Sequence, residues 1–332
     1  MSLKQIIPLL VIGLCSGSVL ADSVDDCILE GVKYANEDVL LVTLKENCER
    51  LNNTEVEIPE RFIEEKNTED NPFVLTPHRQ NYVLPFTYMT DPNQDPYKQN
   101  VYPGNEEPMQ NAEAKLQLSL KVPLTYSKLF TENDAIYFGF TLKSFWQVYN
   151  HDISSPFRET NYRPEVFYEA TFPYKAWGGT IITRLGLEHE SNGRTQFLSR
   201  SWNRVYAGIG FAKNDWAVYA QPWYRIPEDE KIDDGDPSTA PPSKGDDNPN
   251  IEDYMGNYEL HGVYSYKNIE FSGMSRYSFK EGNGALELGM SFPLWGRLKG
   301  YVQYFNGYGE SLIDYNYQVE RIGVGFLLTD IM

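Results

Sequence analysis

From about residue 79 the chain alternates apolar and polar positions in runs of roughly ten residues, a period of two that predicts β-strands with one face of each kind. The pattern places strands near 79–90, 114–124, 135–147, 164–172, 179–191 and 202–212, then near 215–225, 253–266, 268–278, 285–293, 298–305 and 319–331. That is an even number, twelve, and each run is about as long as a tilted strand must be to cross a bilayer. The connections alternate in length. Asp91 to Glu113 is long and Thr125 to Asp134 shorter, Val148 to Arg163 is long and Pro173 to Gly178 short, and Lys213-Asn214 is tight where Ile226 to Glu252 is long and acidic. A secreted β-sandwich would also alternate, but it has no reason to sort its loops. The sorting predicts an all-β, 12-stranded antiparallel transmembrane β-barrel with long loops outside and both termini in the periplasm.

Residues 1–78 read differently. Met1–Ala21 carries Lys4, an apolar core from Ile6 to Leu14 and small residues before a cut after Ala21, the layout of a secretory signal peptide. Cys15 also allows a lipoprotein signal, although Leu14 stands where a small residue is usual. Residues 22–78 begin with two pieces of helical spacing that carry Cys27 and Cys48 and end in an acidic linker, which predicts a small helical periplasmic extension. In an oxidising compartment the two cysteines form a disulfide; two free thiols in a helical hairpin are the alternative. The expected division is therefore signal peptide 1–21, extension and linker 22–78, and barrel 79–332.

Composition sharpens this picture. A net charge of −18 argues against a nucleic-acid partner, which calls for a basic patch. No stretch of the mature chain holds eighteen uninterrupted apolar residues, so no transmembrane helix is expected. Twenty-four tyrosines and six tryptophans in short alternating segments fit a barrel with aromatic girdles in the bacterial outer membrane. Ile322, Val324, Phe326 and Leu328 alternate toward the C-terminus as a barrel's assembly signal does, with Asp330 and Met332 departing from it.

The candidate chemistry sits where that alternation is broken. In the strand 179–191, His189 and Ser191 share a face with Ile181, Leu185 and Leu187, while Arg184, Glu188 and Glu190 take the other. On the next strand Asn203 opens the face of Val205, Ala207, Ile209 and Phe211, and Arg204 lies opposite. Three polar groups thus fall on the lipid side of neighbouring strands, at roughly a few kcal/mol each unless they satisfy one another. An imidazole can take a serine's proton when a third group fixes its tautomer, so Ser191, His189 and Asn203 suit nucleophile, base and orienting residue. Gly193 can offer an unobstructed N–H to an oxyanion. No G-x-S-x-G elbow occurs. The pair His189 and Ser191 alone also fits a chance arrangement at headgroup level. The acidic loop 228–253 reads as a solvated external loop, with weak divalent-cation binding as its alternative.

"HESNGR" and "SRSWNR", with "SSPFRETNY", "QPWY", "YMG", "GYGESLIDYN" and "RIGVGFLLTD" in order along the chain, resemble the bacterial outer-membrane phospholipase A family from about Asn71 to Met332. The resemblance implies a twelve-stranded barrel that hydrolyses acyl esters of membrane phospholipids, with lysophospholipase activity as well, as a calcium-dependent homodimer. Carried over residue by residue, it makes Ser191 the nucleophile, His189 the base and Asn203 the orienting residue. It assigns Ca²⁺ to the Arg194 carbonyl and the Ser199 side chain, with the Ser154 carbonyl supplied by the second subunit. Two departures stand out. Leu142 occupies the place of a glutamine that joins the subunits inside the membrane, and the chain from Ser154 to His189 is one residue shorter. A catalytically silent outer-membrane barrel, a small porin or structural anchor, is the contrasting expectation, and it would need no Ser191.

Overall fold

The computed structural model describes residues 75–98, 107–125, 129–131, 133–155, 157–174, 176–231 and 245–329. The expected signal peptide, the expected helical extension and Cys27–Cys48 disulfide, and the terminal Asp330 and Met332 lie outside the described residues. The described strands belong to one compact unit, Val56–Met332.

Twelve antiparallel strands follow one another around a closed barrel: β1 Asn81–Met89, β2 Ala112–Pro123, β3 Asp134–Trp146, β4 Glu159–Tyr174, β5 Gly179–Ser191 and β6 Ser201–Lys213. They continue as β7 Trp216–Arg225, β8 Tyr258–Tyr266, β9 Ile269–Tyr277, β10 Gly284–Trp295, β11 Leu298–Gly307 and β12 Val319–Thr329. The wall closes where β12 pairs with β1, from Arg321 opposite Met89 to Thr329 opposite Asn81. A two-residue strand, Thr76–Pro77, adds to β2 opposite Lys121 and Leu120. One rim has tight turns, including Asn214-Asp215 and Lys267-Asn268, whose first residues adopt φ 49 and φ 57. The other rim carries the longer connections, among them residues 147–158, 192–200 and 226–257.

Two strand ends differ from the expected ones for physical reasons. The strand expected from residue 253 starts at Tyr258, because Ile251–Met255 forms a short helix, α1, that buries Ile251 and Met255 one turn apart and ends at Gly256 with φ 67. β4 begins at Glu159, well before Pro164. A proline usually opens a strand, since it cannot donate to the ladder, yet here it sits inside one.

Alternation sets the faces. Leu185, Leu187 and Ile209 point outward and are 59%, 58% and 59% exposed, while the inward Glu188 and Arg204 are 3% and 1% exposed. A barrel of this size is filled by its own side chains, and here much of the filling is ionic. At the long-loop end, Glu113 on β2 accepts two hydrogen bonds from one guanidinium edge of Arg158, Nε–H and Nη2–H (2.9 and 3.0 Å), and others from Gln147 (3.0 Å) and Arg321 (2.8 Å). Arg321 also reaches Glu310 at 2.7 Å, and Lys115 donates to Glu310 at 2.9 Å. Asp314 accepts from Arg158 at 3.1 Å and from Asn93 at 2.9 Å. The network therefore ties three long connections to the strands beneath them. Deeper in the lumen, Arg204 pairs with Glu188 and Glu190, and Arg79 with Glu165 and Glu188. Arg184 pairs with Glu169. His78 shares a 2.8 Å hydrogen bond with Glu165, and His261 one of 3.2 Å with Glu259. A cavity of about 250 Å³ is left among them.

Removing one partner of a buried ion pair strands the other's charge. Glu113→Ala leaves two buried guanidinium groups without their shared carboxylate, so we expect a loss of roughly 3–5 kcal/mol. Urea unfolding from lipid vesicles would measure it, with Lys280→Ala, whose partner Asp253 lies at the surface, as a near-neutral comparison.

Candidate active site on the outer barrel wall

β5 and β6 pair without interruption, in register from Thr180 opposite Ala212 to Ser191 opposite Ser201. That register sets His189 directly opposite Asn203 on the outward face. Side chains so placed are about 5 Å apart at Cβ, and here they bond: His189 Nδ1–H donates to Asn203 Oδ1 at 2.9 Å. With the proton on Nδ1, Nε2 is left with its lone pair. Ser191 ends β5 on the same face, two residues on, and its Oγ makes no side-chain hydrogen bond among the described residues.

The inward faces of the same strands hold the pair still. Trp202 is fully buried, donates its Nε1–H to Glu190 at 3.0 Å and lies 3.8 Å beneath the Arg204 guanidinium. It packs in a cluster with Phe167, Tyr206, Trp223, Ile251 and Leu312, joining three strands to α1 and the loop before β12. Asn203 is thus flanked in sequence by two immobilised residues.

Beyond Ser191 the chain turns sharply. Asn192 organises the turn: its N–H donates to the Arg200 carbonyl at 3.0 Å, its Oδ1 accepts from the N–H groups of Arg194 and Arg200, and its Nδ2 donates to the Leu198 carbonyl at 2.7 Å. Gly193 takes φ +62, and a Cβ there would meet the Tyr162 ring at 3.3 Å. The Arg194 side chain reaches back to the Phe157 and Arg158 carbonyls at 2.9 and 2.7 Å. Ser199 Oγ donates to Asp247 at 2.7 Å. Ser154 lies apart, on the 147–158 connection, where its carbonyl accepts from Trp146 Nε1 at 2.6 Å.

Three participants were not legible beforehand. Asn192 had a signal, the Asn-Gly dipeptide of a turn. Glu228 accepts from Asn203 Nδ2 at 3.0 Å, and Asp247 sits beside Ser199; both were hidden in an acidic stretch that read as solvated loop. The described ends of that loop are docked instead: Asp246 pairs with Arg225 at 2.5 Å, and Lys231 with Asp247.

A model of the family described as phospholipase A1 matches residues 58–328. The chain belongs to the phospholipase A1 family. It is 37% identical over 263 residues to phospholipase A1 of Klebsiella pneumoniae, covering 79% of this chain and 85% of that one. The match to phospholipase A1 of Escherichia coli K12 is also 37% over 263 residues, with 79% and 84% covered. Among solved structures, outer membrane phospholipase A from Escherichia coli superposes with a TM-score of 0.69 at 37% identity, over 79% of this chain and 95% of that one. The outer membrane phospholipase of Salmonella typhi, a dimer with bound calcium, gives the same score and identity over 80% and 95%. This family member is therefore a phospholipase, and its closed barrel spans the outer membrane with strands.

An L-residue at Gly193 would be strained by about 1–2 kcal/mol in the left-handed region and would also press on Tyr162. Gly193→Ala is expected to loosen the turn, seen as faster amide exchange across residues 192–200 with the rest of the barrel unchanged.

Proposed function

We propose that this phospholipase hydrolyses acyl ester bonds of outer-membrane phospholipids and lysophospholipids with Ser191 as nucleophile, His189 as general base and Asn203 as orienting residue. The observation that carries the proposal is the 2.9 Å bond from His189 Nδ1–H to Asn203 Oδ1, made on the face that meets lipid, with Ser191 beside it. A polar pair on that face finds its reason in a substrate that arrives through the membrane.

In this mechanism His189 Nε2 takes the proton of Ser191 Oγ as the oxygen attacks the ester carbonyl. The Gly193 N–H donates to the oxyanion. His189 then returns the proton to the departing glycerol oxygen, and the lysophospholipid leaves. A water attacks the acyl-enzyme with His189 again as base, and Ser191 is restored. The neutral Asn203 holds the ring without placing an anion against lipid, where desolvation is costly.

The donors near the serine suit calcium, a cation that prefers oxygen ligands. Ser199 offers a hydroxyl, Asp247 a carboxylate 2.7 Å from it, and Arg194 a backbone carbonyl on the turn that follows the nucleophile. We propose that Arg194 and Ser199 hold Ca²⁺ and that the Ser154 carbonyl of a second copy completes the set. Bound there, the cation supplies positive charge beside the ester carbonyl. The homodimer would then be the active form. Its interface is proposed on the outward face carrying Leu142, which is paired with Leu118 on β2 and Tyr162 on β4. All of these residues fall within the proposed barrel segment 79–332.

Fatty-acid release from phospholipid vesicles tests the reading with wild type and Ser191→Ala, each with calcium and with EDTA. Wild type with calcium is expected to be active and the other three conditions silent; an active Ser191→Ala would overturn the nucleophile assignment. At the subunit contact, Leu142→Gln adds a polar pair inside the membrane, worth about 1 kcal/mol. Crosslinking should show a dimerisation constant raised roughly fivefold.

A further inference from the structure

We propose that Glu228 is a positioning residue of the active site, acting through Asn203; this rests on the reading of Ser191, His189 and Asn203 as the catalytic group. An asparagine side chain is almost symmetric in shape, but its two ends are opposite in hydrogen-bonding character. Turned one way, Oδ1 accepts from His189 Nδ1–H and leaves Nε2 free to act as base. Turned the other way, Nδ2–H donates to Nδ1, the ring proton moves to Nε2, and the imidazole can no longer take a proton from Ser191. Nothing in the His189–Asn203 contact alone chooses between them.

Glu228 makes the choice. Its Oε1 accepts from Asn203 Nδ2 at 3.0 Å, and an ionised carboxylate can only accept. The flipped amide would set Oδ1 against that carboxylate, so the contact selects the orientation in which Oδ1 faces the histidine. The backbone brings Glu228 to this place. The Ile226 N–H donates to the Asn203 carbonyl at 2.8 Å, which lays the chain after β7 over the start of β6. The Asp246 N–H donates to the Asp229 carbonyl at 2.8 Å and closes the loop from the other side. Glu228 is half-buried between these two anchors.

The arrangement has a second consequence. A carboxylate hydrogen-bonded to Nδ2 polarises the amide and makes Oδ1 a stronger acceptor for the imidazolium that forms during the reaction. The negative charge reaches the histidine one bond removed, with its carboxylate at the loop rim instead of on the lipid face. An aspartate in place of Asn203 would put it directly on that face.

Glu228→Gln is the test, because a glutamine amide can satisfy Asn203 in either orientation. Imidazole ¹⁵N spectra in detergent at about pH 8.5, two units above the ordinary histidine value, report the tautomer of each of the four histidines. The His189 signal is identified by its loss in His189→Gln. Wild type is expected to show the Nδ1–H form. Glu228→Gln should show a mixture, together with a roughly tenfold lower kcat at unchanged KM, and Glu228→Asp should recover part of both. A wild-type tautomer in Glu228→Gln, whatever its rate, overturns the proposal, as does a wild-type kcat. Because the spectra do not depend on turnover, an active Ser191→Ala would sink the catalytic reading separately, without altering what they say about Glu228.

Discussion

Inside a bilayer no water is available to a peptide group, so every N–H and C=O of a spanning strand must find its partner within the protein. The chain meets this demand by pairing β12 with β1 and leaving no open edge in the wall. Closure then dictates the side chains. With a period of two, each strand sends alternate residues into lipid and into a narrow interior, and both populations must be accommodated at once. Apolar residues such as Leu185, Leu187 and Ile209 cover the outside. The interior is too small to serve as a wide channel and is packed with charges that neutralise one another.

Those internal charges do more than fill space. Glu113, Arg158, Arg321, Glu310 and Asp314 connect strands to the residues of three long connections, so the mouth of the barrel is knitted shut by side chains that water barely reaches. Beneath the proposed catalytic face, Trp202, Arg204 and Glu190 lock the inward sides of the same two strands. A site built on an outer wall has no protein in front of it to hold it in place. Its rigidity comes from behind, through the backbone of β5 and β6.

Alternation and loop sorting made the barrel readable from sequence, and parity alone put His189, Ser191 and Asn203 on the wall that meets lipid. What resisted reading depended on contacts between segments far apart in the chain. The helix Ile251–Met255 overlaps the strand expected from residue 253, because a single apolar turn is too short to show its period. Pro164 suggested a strand boundary that the surrounding ladder overrides. Glu228 and Asp247 lay among many carboxylates of one acidic stretch, and only the course of the backbone after β7 separates them from their solvated neighbours. His78 meets Glu165 across 87 residues of chain, a contact that no local pattern shows.

The same contacts show how the membrane-facing chemistry and the ionic interior form one structure. Arg158 is gripped by Glu113 through its side chain, and its backbone carbonyl accepts from Arg194. Arg194 follows Gly193 in the turn after Ser191, so the buried carboxylate of β2 is two hydrogen-bonded steps from the proposed oxyanion donor. On the other side, Glu228 reaches Asn203 from a loop that Arg225 and Asp246 pin to the rim. The two carboxylates that buttress the proposed site, Glu113 and Glu228, therefore stay off the lipid face, one in the lumen and one at the loop rim, and the last link of each to that face is a neutral group, a backbone N–H or an amide. In a hydrocarbon surrounding an exposed ion is penalised far more than a dipole, and relaying the influence of those carboxylates through dipoles is what would let the proposed hydrolytic site stand on the outside of a barrel.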